Sequence, residues 1–223
     1  MSHFPEILWQ DEHFVAVMKP AGAVVHRSAE HRDAKVIMLQ AVRDAIGAQV
    51  NAVHRLDRPT SGVLIFARTT EATAAMQEAL TNGQKRYLAM VRRETPESGV
   101  IDRGLTHLDS DVVQPAVTEY RRVGVYDLGG GFGAASLVEA LPHSGRRHQI
   151  RRHFAGIAHH LLLDTHYGKG GINRHCRGTL GLPRLFLHAA EIAFVHPLTG
   201  EAVRVTAELP DDLRAFLTKL APT

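Results

Sequence analysis

At 223 residues, with 44% hydrophobic and 22% charged side chains, the chain has the make-up of an ordinary globular protein able to bury a sizeable core. No stretch approaches the roughly 18 consecutive apolar residues of a membrane span, and Met1–Glu6 lacks the basic and apolar regions of a signal peptide, so a cytoplasmic location without membrane association is expected. A single cysteine, Cys176, excludes an intrachain disulfide and a multi-cysteine zinc cage.

In chain order, apolar alternation predicts strands at 6–9 and 13–18, and the second runs into the turn Lys19-Pro20-Ala21-Gly22, which would present Lys19 near a strand end. Asp33 is read as the cap of a helix carrying Val36, Leu39, Val42 and Ile46 and stopped by Gly47. A polar nonapeptide, His54 to Gly62, precedes a strand at 62–68. Thr70 is read as the cap of a second helix bearing Ala72, Ala75, Met76, Ala79 and Leu80, which ends at Gly83. Strands are then predicted at 86–92, 116–124 and 134–141, a helix at 147–155, strands at 185–195 and 202–208, and a last helix at 211–220 after Pro210. Strand-dominated order with irregularly inserted helices argues for an α+β fold in one domain, with no linker or internal repeat.

The net charge of +3 is unevenly spread. Residues 146–184 hold eight Lys or Arg against one acid, Asp164, a local charge of +7 that leaves the rest of the chain at −4. Such a stripe suits either a polyanion, of which nucleic acid is the commonest, or a merely solvated basic face.

Chemistry is most concentrated in His54-Arg55-Leu56-Asp57-Arg58-Pro59-Thr60-Ser61-Gly62. Here a carboxylate stands between two arginines on a loop that opens onto a strand, and flanking guanidiniums favour its ionised form. Either a reactive acid or a surface ion pair would look this way. Tyr87 shares one strand face with Ala89 and Val91, where it would stack on a nucleobase or pack in the core. In Ser144 to His153, helical spacing puts His148 with Arg152 and Arg147 with Arg151, and Ile150 and Phe154 anchor the helix; its rigid arginines suit phosphates or a buried carboxylate such as Asp57. The histidines and Asp164 of 159–166 lack the ligand spacing of a known metal motif, so no metal is expected.

Taken in order, His54-Arg55-Leu56-Asp57-x-x-Thr60-Ser61-Gly62, Lys19-Pro20-x-Gly22, Lys85-x-Tyr87-x-Ala89-x-Val91, Gly145-Arg146-x-His148-Gln149-Ile150-Arg151-x-His153, Asp164-x-x-Tyr167-Gly168, Leu187-His188-Ala189 and His196-Pro197-x-Thr199-Gly200-Glu201 resemble the RluA-type family of RNA pseudouridine synthases across nearly the whole chain. Val25-His26-Arg27-Ser28 and Gln114-Pro115-Ala116-Val117-Thr118-x-Tyr120 are similar to the TruC subgroup, whose target is uridine 65 of tRNA. The resemblance implies the pseudouridine synthase fold, a mixed, mostly antiparallel central sheet flanked by helices and loops, in a single catalytic domain over 1–223. It makes Asp57 the catalytic aspartate, Tyr87 the residue stacked on the target uracil and Arg151 the basic partner of Asp57. It implies an isomerase that needs no cofactor, a monomer whose partner is an RNA substrate, tRNA first and ribosomal RNA as the alternative. Lys19, Arg55, Arg58, Arg146, Arg147, His148, Arg152, Lys169, Arg174, Arg177 and Arg184 are the expected RNA-binding residues.

Two departures stand out. The family's Gly-x-Pro-apolar-x-Gly-Asp run is here Gly156-Ile157-Ala158-His159-His160-Leu161-Leu162-Leu163-Asp164, which puts the local turn in question. The first strand near residue 6 leaves no room for the small S4-like RNA-binding domain that many relatives carry, so RNA selection is expected from the catalytic domain. Two other classes remain as contrasts. A protein kinase would need a glycine-rich loop, a Val-Ala-Ile-Lys strand and Asp-Phe-Gly, which the chain lacks. A non-catalytic RNA-binding module would keep the basic stripe without requiring Asp57, Tyr87 and Arg151 together.

Overall fold

The computed structural model describes residues 4–27, 32–107 and 110–223. Its elements are β1 (Ile7–Gln10), β2 (Phe14–Lys19), α1 (Met38–Ile46), β3 (Asn51–Ala52), β4 (Ser61–Ala67), α2 (Thr70–Asn82), β5 (Gln84–Arg92), β6 (Ser98–Asp102), β7 (Leu105–Thr106), β8 (Val113–Gln114), β9 (Val117–Asp127), β10 (Ala134–Pro142), α3 (Gln149–Gly156), α4 (Gly170–Gly178), β11 (Leu187–Val195), β12 (Ala202–Thr206), α5 (Asp211–Leu217) and β13 (Ala221–Pro222). The fold is strand-dominated and its ladders are mostly antiparallel, as the sequence predicts. None of the described helices is long and apolar enough to cross a membrane.

The chain forms two compact units, Met1–Lys85 with Ala189–Glu208, and Arg86–His188 with Leu209–Thr223. In the first, β2 runs antiparallel to both β1 and β4, with Val17 opposite Leu64 and Lys19 opposite Gly62, while β11 pairs with β12. The α2 residues Ala72, Met76 and Leu80 bury against Phe14, Ala16, Val63, Ile65, Ile192 and Phe194. Each such large apolar side chain contributes roughly 1.5–3 kcal/mol on burial. Residues four apart on α2 thus meet alternate residues of the strands, the two periodicities on which its prediction rests.

In the second unit β10 pairs antiparallel with β5 and β9, and β6 and β13 add to β9. Alternation along β5 feeds two cores. Ala89 and Val91 join Ile150 and Phe154 of α3, whereas Met90 joins Ile172 and Cys176 of α4 and Leu213 and Phe216 of α5.

Several predicted boundaries move. The first helix begins at Met38, because Val24 N donates to Val36 O and Met38 N to Val24 O, which draws 36–37 into a parallel bridge. Asp33 therefore lies upstream of the α1 cap, which is Ile37, and the Arg58 fork holds its carboxylate. The α2 cap is Thr69, whose hydroxyl accepts from Ala72 N at 3.1 Å, one residue before the predicted one. The last helix stops at Leu217, three residues short of its predicted end at 220. Helix α4 and strand β6 are absent from the sequence reading.

Candidate functional site

The Asp57 loop hangs between β3 and β4, and its anchors come from every side. Val53 N donates to Ile65 O at 3.1 Å, Thr60 N closes a turn on Asp57 O at 3.0 Å, and Gly22 N donates to Arg58 O at 2.7 Å. Beneath it Lys19 is fully buried and donates to the carbonyls of Thr60 at 2.7 Å, Pro20 at 3.1 Å and Arg58 at 3.3 Å. A buried ammonium needs such partners. Lys19, expected among the RNA-binding residues, is instead buried and shapes the Asp57 loop from within.

Two motif residues acquire physical reasons. The Nε2 of His54 accepts from Ile65 N at 3.1 Å, so its proton sits on Nδ1 and the ring is neutral. Burial first, then the nearby Lys85 ammonium, pulls its pKa down to about 4, while a backbone hydrogen bond at Arg55 acts in the opposite sense. Gly62 has φ +124°, and a Cβ there would stand 2.1 Å from the carbonyl oxygen of Ala189, so only glycine allows β4 to start where it does.

Of the two arginines beside Asp57, Arg55 is exposed, but the Arg58 fork closes on Asp33 at 3.0 and 2.9 Å and its Nε reaches Gly22 O at 3.3 Å. Arg58 thus ties the loop to residues 22 and 33 through an exposed ion pair. Ser28 of the motif beginning at Val25 lies outside the described residues.

Tyr87 is half-buried on β5, opposite Ala140, at the margin of the core formed by Ala89, Val91 and Phe154. Its strand face is the one the alternation predicts.

Arg151 of α3 forms a buried bidentate pair with Asp164 in the turn that follows the helix, with Nε to Oδ2 at 2.8 Å and Nη2 to Oδ1 at 2.9 Å. The side chains are only 5% and 1% exposed. Asp164 Oδ1 also accepts from His166 N at 2.9 Å and Tyr167 N at 3.0 Å. Burial would raise the pKa of Asp164, but the Arg151 guanidinium and these N–H groups outweigh it and hold the carboxyl below its ordinary range. The guanidinium lies 5.3 Å from the Tyr167 ring centroid, a cation–π arrangement. Asn173 braces the turn by donating to Asp164 O at 2.9 Å and accepting from Leu163 N at 3.1 Å.

Neither Asp164 nor Tyr167 is among the site residues expected from the sequence, although both stand in its Asp164-x-x-Tyr167-Gly168 motif. The signal was available: a lone acid among eight cations must be claimed by one of them.

The remaining basic residues divide. Arg146, Lys169, Arg174 and Arg177 are exposed and Arg147 is half-buried. Arg152, also half-buried, donates to Thr106 O at 2.9 Å. His148 is not on the helix: it has φ +57° just before α3, and its Nδ1 lies 3.0 Å from the Tyr167 hydroxyl. Arg184, also among the expected RNA-binding residues, is 14% exposed and its fork closes on Asp212 at 2.6 and 3.0 Å.

Counted back from Asp164, the two glycines of the family's Gly-x-Pro-apolar-x-Gly-Asp run fall on Ala158 and Leu163. Both positions keep the left-handed backbone, with φ +63° and +56°. The turn survives at the cost of strain in non-glycine residues, on the order of 1–2 kcal/mol each. Ala158 is exposed, so Ala158→Gly should raise stability by about 0.5–1 kcal/mol in urea unfolding. Leu163 is 3% exposed in the core, and Leu163→Gly should destabilise because lost packing exceeds the relief.

Comparison with solved structures gives the fold. The fold matches Human RNA Pseudouridylate Synthase Domain Containing 1 with a TM-score of 0.77 at 21% identity, covering 100% of this chain and 90% of that one. It matches Human RNA Pseudouridylate Synthase Domain Containing 4 with a TM-score of 0.76 at 23% identity, covering 97% and 94%. At the sequence level, the family model described as RNA pseudouridylate synthase matches residues 13–156. The tRNA pseudouridine synthase C of Vibrio parahaemolyticus is 39% identical over 231 residues, covering 96% of this chain and 94% of that protein. Its namesake from Pectobacterium carotovorum is 42% identical over 219 residues, covering 91% of this chain and 58% of that longer protein. The chain belongs to the RNA pseudouridylate synthase family.

Proposed function

We propose that this protein isomerises uridine 65 of tRNA to pseudouridine in the cytoplasm, acting as a monomer and as one catalytic domain. The observation that carries the reading is the likeness, over 96% of the chain, to a protein named tRNA pseudouridine synthase C. The reaction breaks the C1′–N1 bond, turns the detached uracil and joins C5 to C1′; C5 loses a proton and N1 gains one. Electrons and atoms balance within the nucleotide, so no cofactor is required.

Asp57 is assigned the central role on its loop, either attacking C1′ or removing a ribose proton. Tyr87 stacks on the uracil and keeps the freed base in place while it turns. Arg151 supplies the counter-charge to Asp57. The Asp164 fork and the Tyr167 ring support that assignment by fixing the guanidinium before substrate arrives. The exposed cations of the basic segment bind phosphates while the target nucleotide leaves its stack, at a cost of a few kcal/mol.

Incubation with tRNA tritiated at uridine C5 tests the reaction class: release of tritium supports an isomerase, and tight binding without release would leave only an RNA-binding module. For the phosphate contacts, Arg174→Ala with Arg177→Ala should weaken tRNA binding and reduce its log–log salt slope by about two. Arg184→Ala should leave affinity unchanged, because its guanidinium is committed to Asp212.

A further inference from the structure

The connection between β9 and β10 is Leu128-Gly129-Gly130-Gly131-Phe132-Gly133, and at its tip Phe132 is 40% exposed. The loop is nonetheless built. Leu128 N donates to Gly133 O and Phe132 N to Gly129 O, each at 3.0 Å, and Gly129 N donates to the Asp127 carboxylate at 3.0 Å. The Phe132 ring lies flat on the imidazole of His175 from α4, with centroids 4.5 Å apart and planes 20° apart. His175 is fixed in turn, donating from Nε2 to Leu128 O at 2.7 Å. Gly130 allows the approach, since a Cβ there would come within 2.9 Å of the imidazole Cε1.

An apolar ring held outward on a pinned imidazole gains little by burial. Its surroundings indicate what would cover it. On the same helix Arg174 and Arg177 are exposed, Lys169 at its N-terminal end is exposed, and residues 165–184 contain no acid. Neither arginine forms an ion pair among the described residues. An open aromatic face together with exposed cations on the helix that backs it is the chemistry that binds an unstacked base by its π-face and phosphates of the same strand by charge.

We propose that Phe132, backed by His175, is a stacking platform for an unpaired nucleotide of the RNA substrate, with Arg174 and Arg177 holding the adjoining phosphates. This rests on the reading of the chain as an RNA-modifying enzyme and adds a contact that reads loop or bulge structure outside the isomerised uridine.

The test compares the affinity of wild type, Phe132→Ala and Phe132→Tyr for an unmodified tRNA transcript and for a fully paired RNA duplex. Phe132→Ala should weaken tRNA binding about tenfold, Phe132→Tyr should restore it, and duplex affinity should stay the same in all three, which also reports an intact fold. Unchanged tRNA affinity in Phe132→Ala, equal losses on tRNA and duplex, or failure of tyrosine to restore binding would each overturn the platform. A wild type that binds tRNA through Phe132 yet releases no tritium from C5-labelled uridine would overturn the proposed reaction and leave the platform standing.

Discussion

Asp57→Ala should lower pseudouridine formation by roughly a thousandfold or more while tRNA affinity stays within about twofold. The expectation follows from how the loop is held. Its anchors are backbone groups together with the Lys19 ammonium, the His54 ring and the Arg58 fork, and the turn at Asp57 uses its carbonyl, which alanine retains. Alanine takes away the reactive carboxylate and keeps these anchors available to hold the loop. Tritium release and filter binding on the same preparation separate the two quantities. Asp57→Asn should be as inactive as alanine, since an amide neither attacks C1′ nor accepts a ribose proton effectively.

The second large effect is structural. Asp164→Ala would leave Arg151 buried without the carboxylate that grips it, and breaking one side of a buried pair costs about 3–5 kcal/mol. Urea unfolding should show that loss, and tRNA isomerisation should fall with it. Acid should weaken the same region of the wild type. Because the Asp164 pKa is depressed in the fold, its contribution is complete above the ordinary carboxylate pKa and fades as pH falls through the folded value. His54 acts at milder pH. Its folded pKa of about 4 lies below the usual 6.5, so the unfolded chain takes up the proton first. Stability is full above that value and declines as pH falls toward 4. The denaturation midpoint should therefore drop between neutral and mildly acidic pH, before Asp164 titrates.

What was legible in the sequence was whatever local periodicity controls. Helix α2 and strand β5 follow from apolar spacing, and the face shared by Tyr87, Ala89 and Val91 is the one observed. The family resemblance rested on ordered polar motifs, and the matching fold and family bear it out. Long-range partners were not legible. Lys19 looked like an exposed turn residue because the carbonyls that bury it belong to Arg58 and Thr60, about forty residues away. Asp33 looked like a helix cap because nothing local announces that Arg58 will take its carboxylate. Helix α4 begins with Gly170-Gly171, poor helix formers, and shows only Ile172 and Cys176 to the core, too faint an apolar stripe to register. Strand β6 contains Gly99, which lies under the Tyr120 ring, a contact no spacing rule anticipates. The turn before Asp164 gives the opposite lesson: its glycines are gone, yet Ala158 and Leu163 keep their backbone conformation.

Sequencing of pseudouridine at nucleotide resolution in an unmodified tRNA transcript, after incubation with the purified wild type or with Asp57→Ala, bears on the proposed reaction most directly. One new pseudouridine, at position 65, with the wild type and none with the variant is the expected result. Pseudouridine made by Asp57→Ala, or none made by the wild type, would contradict it.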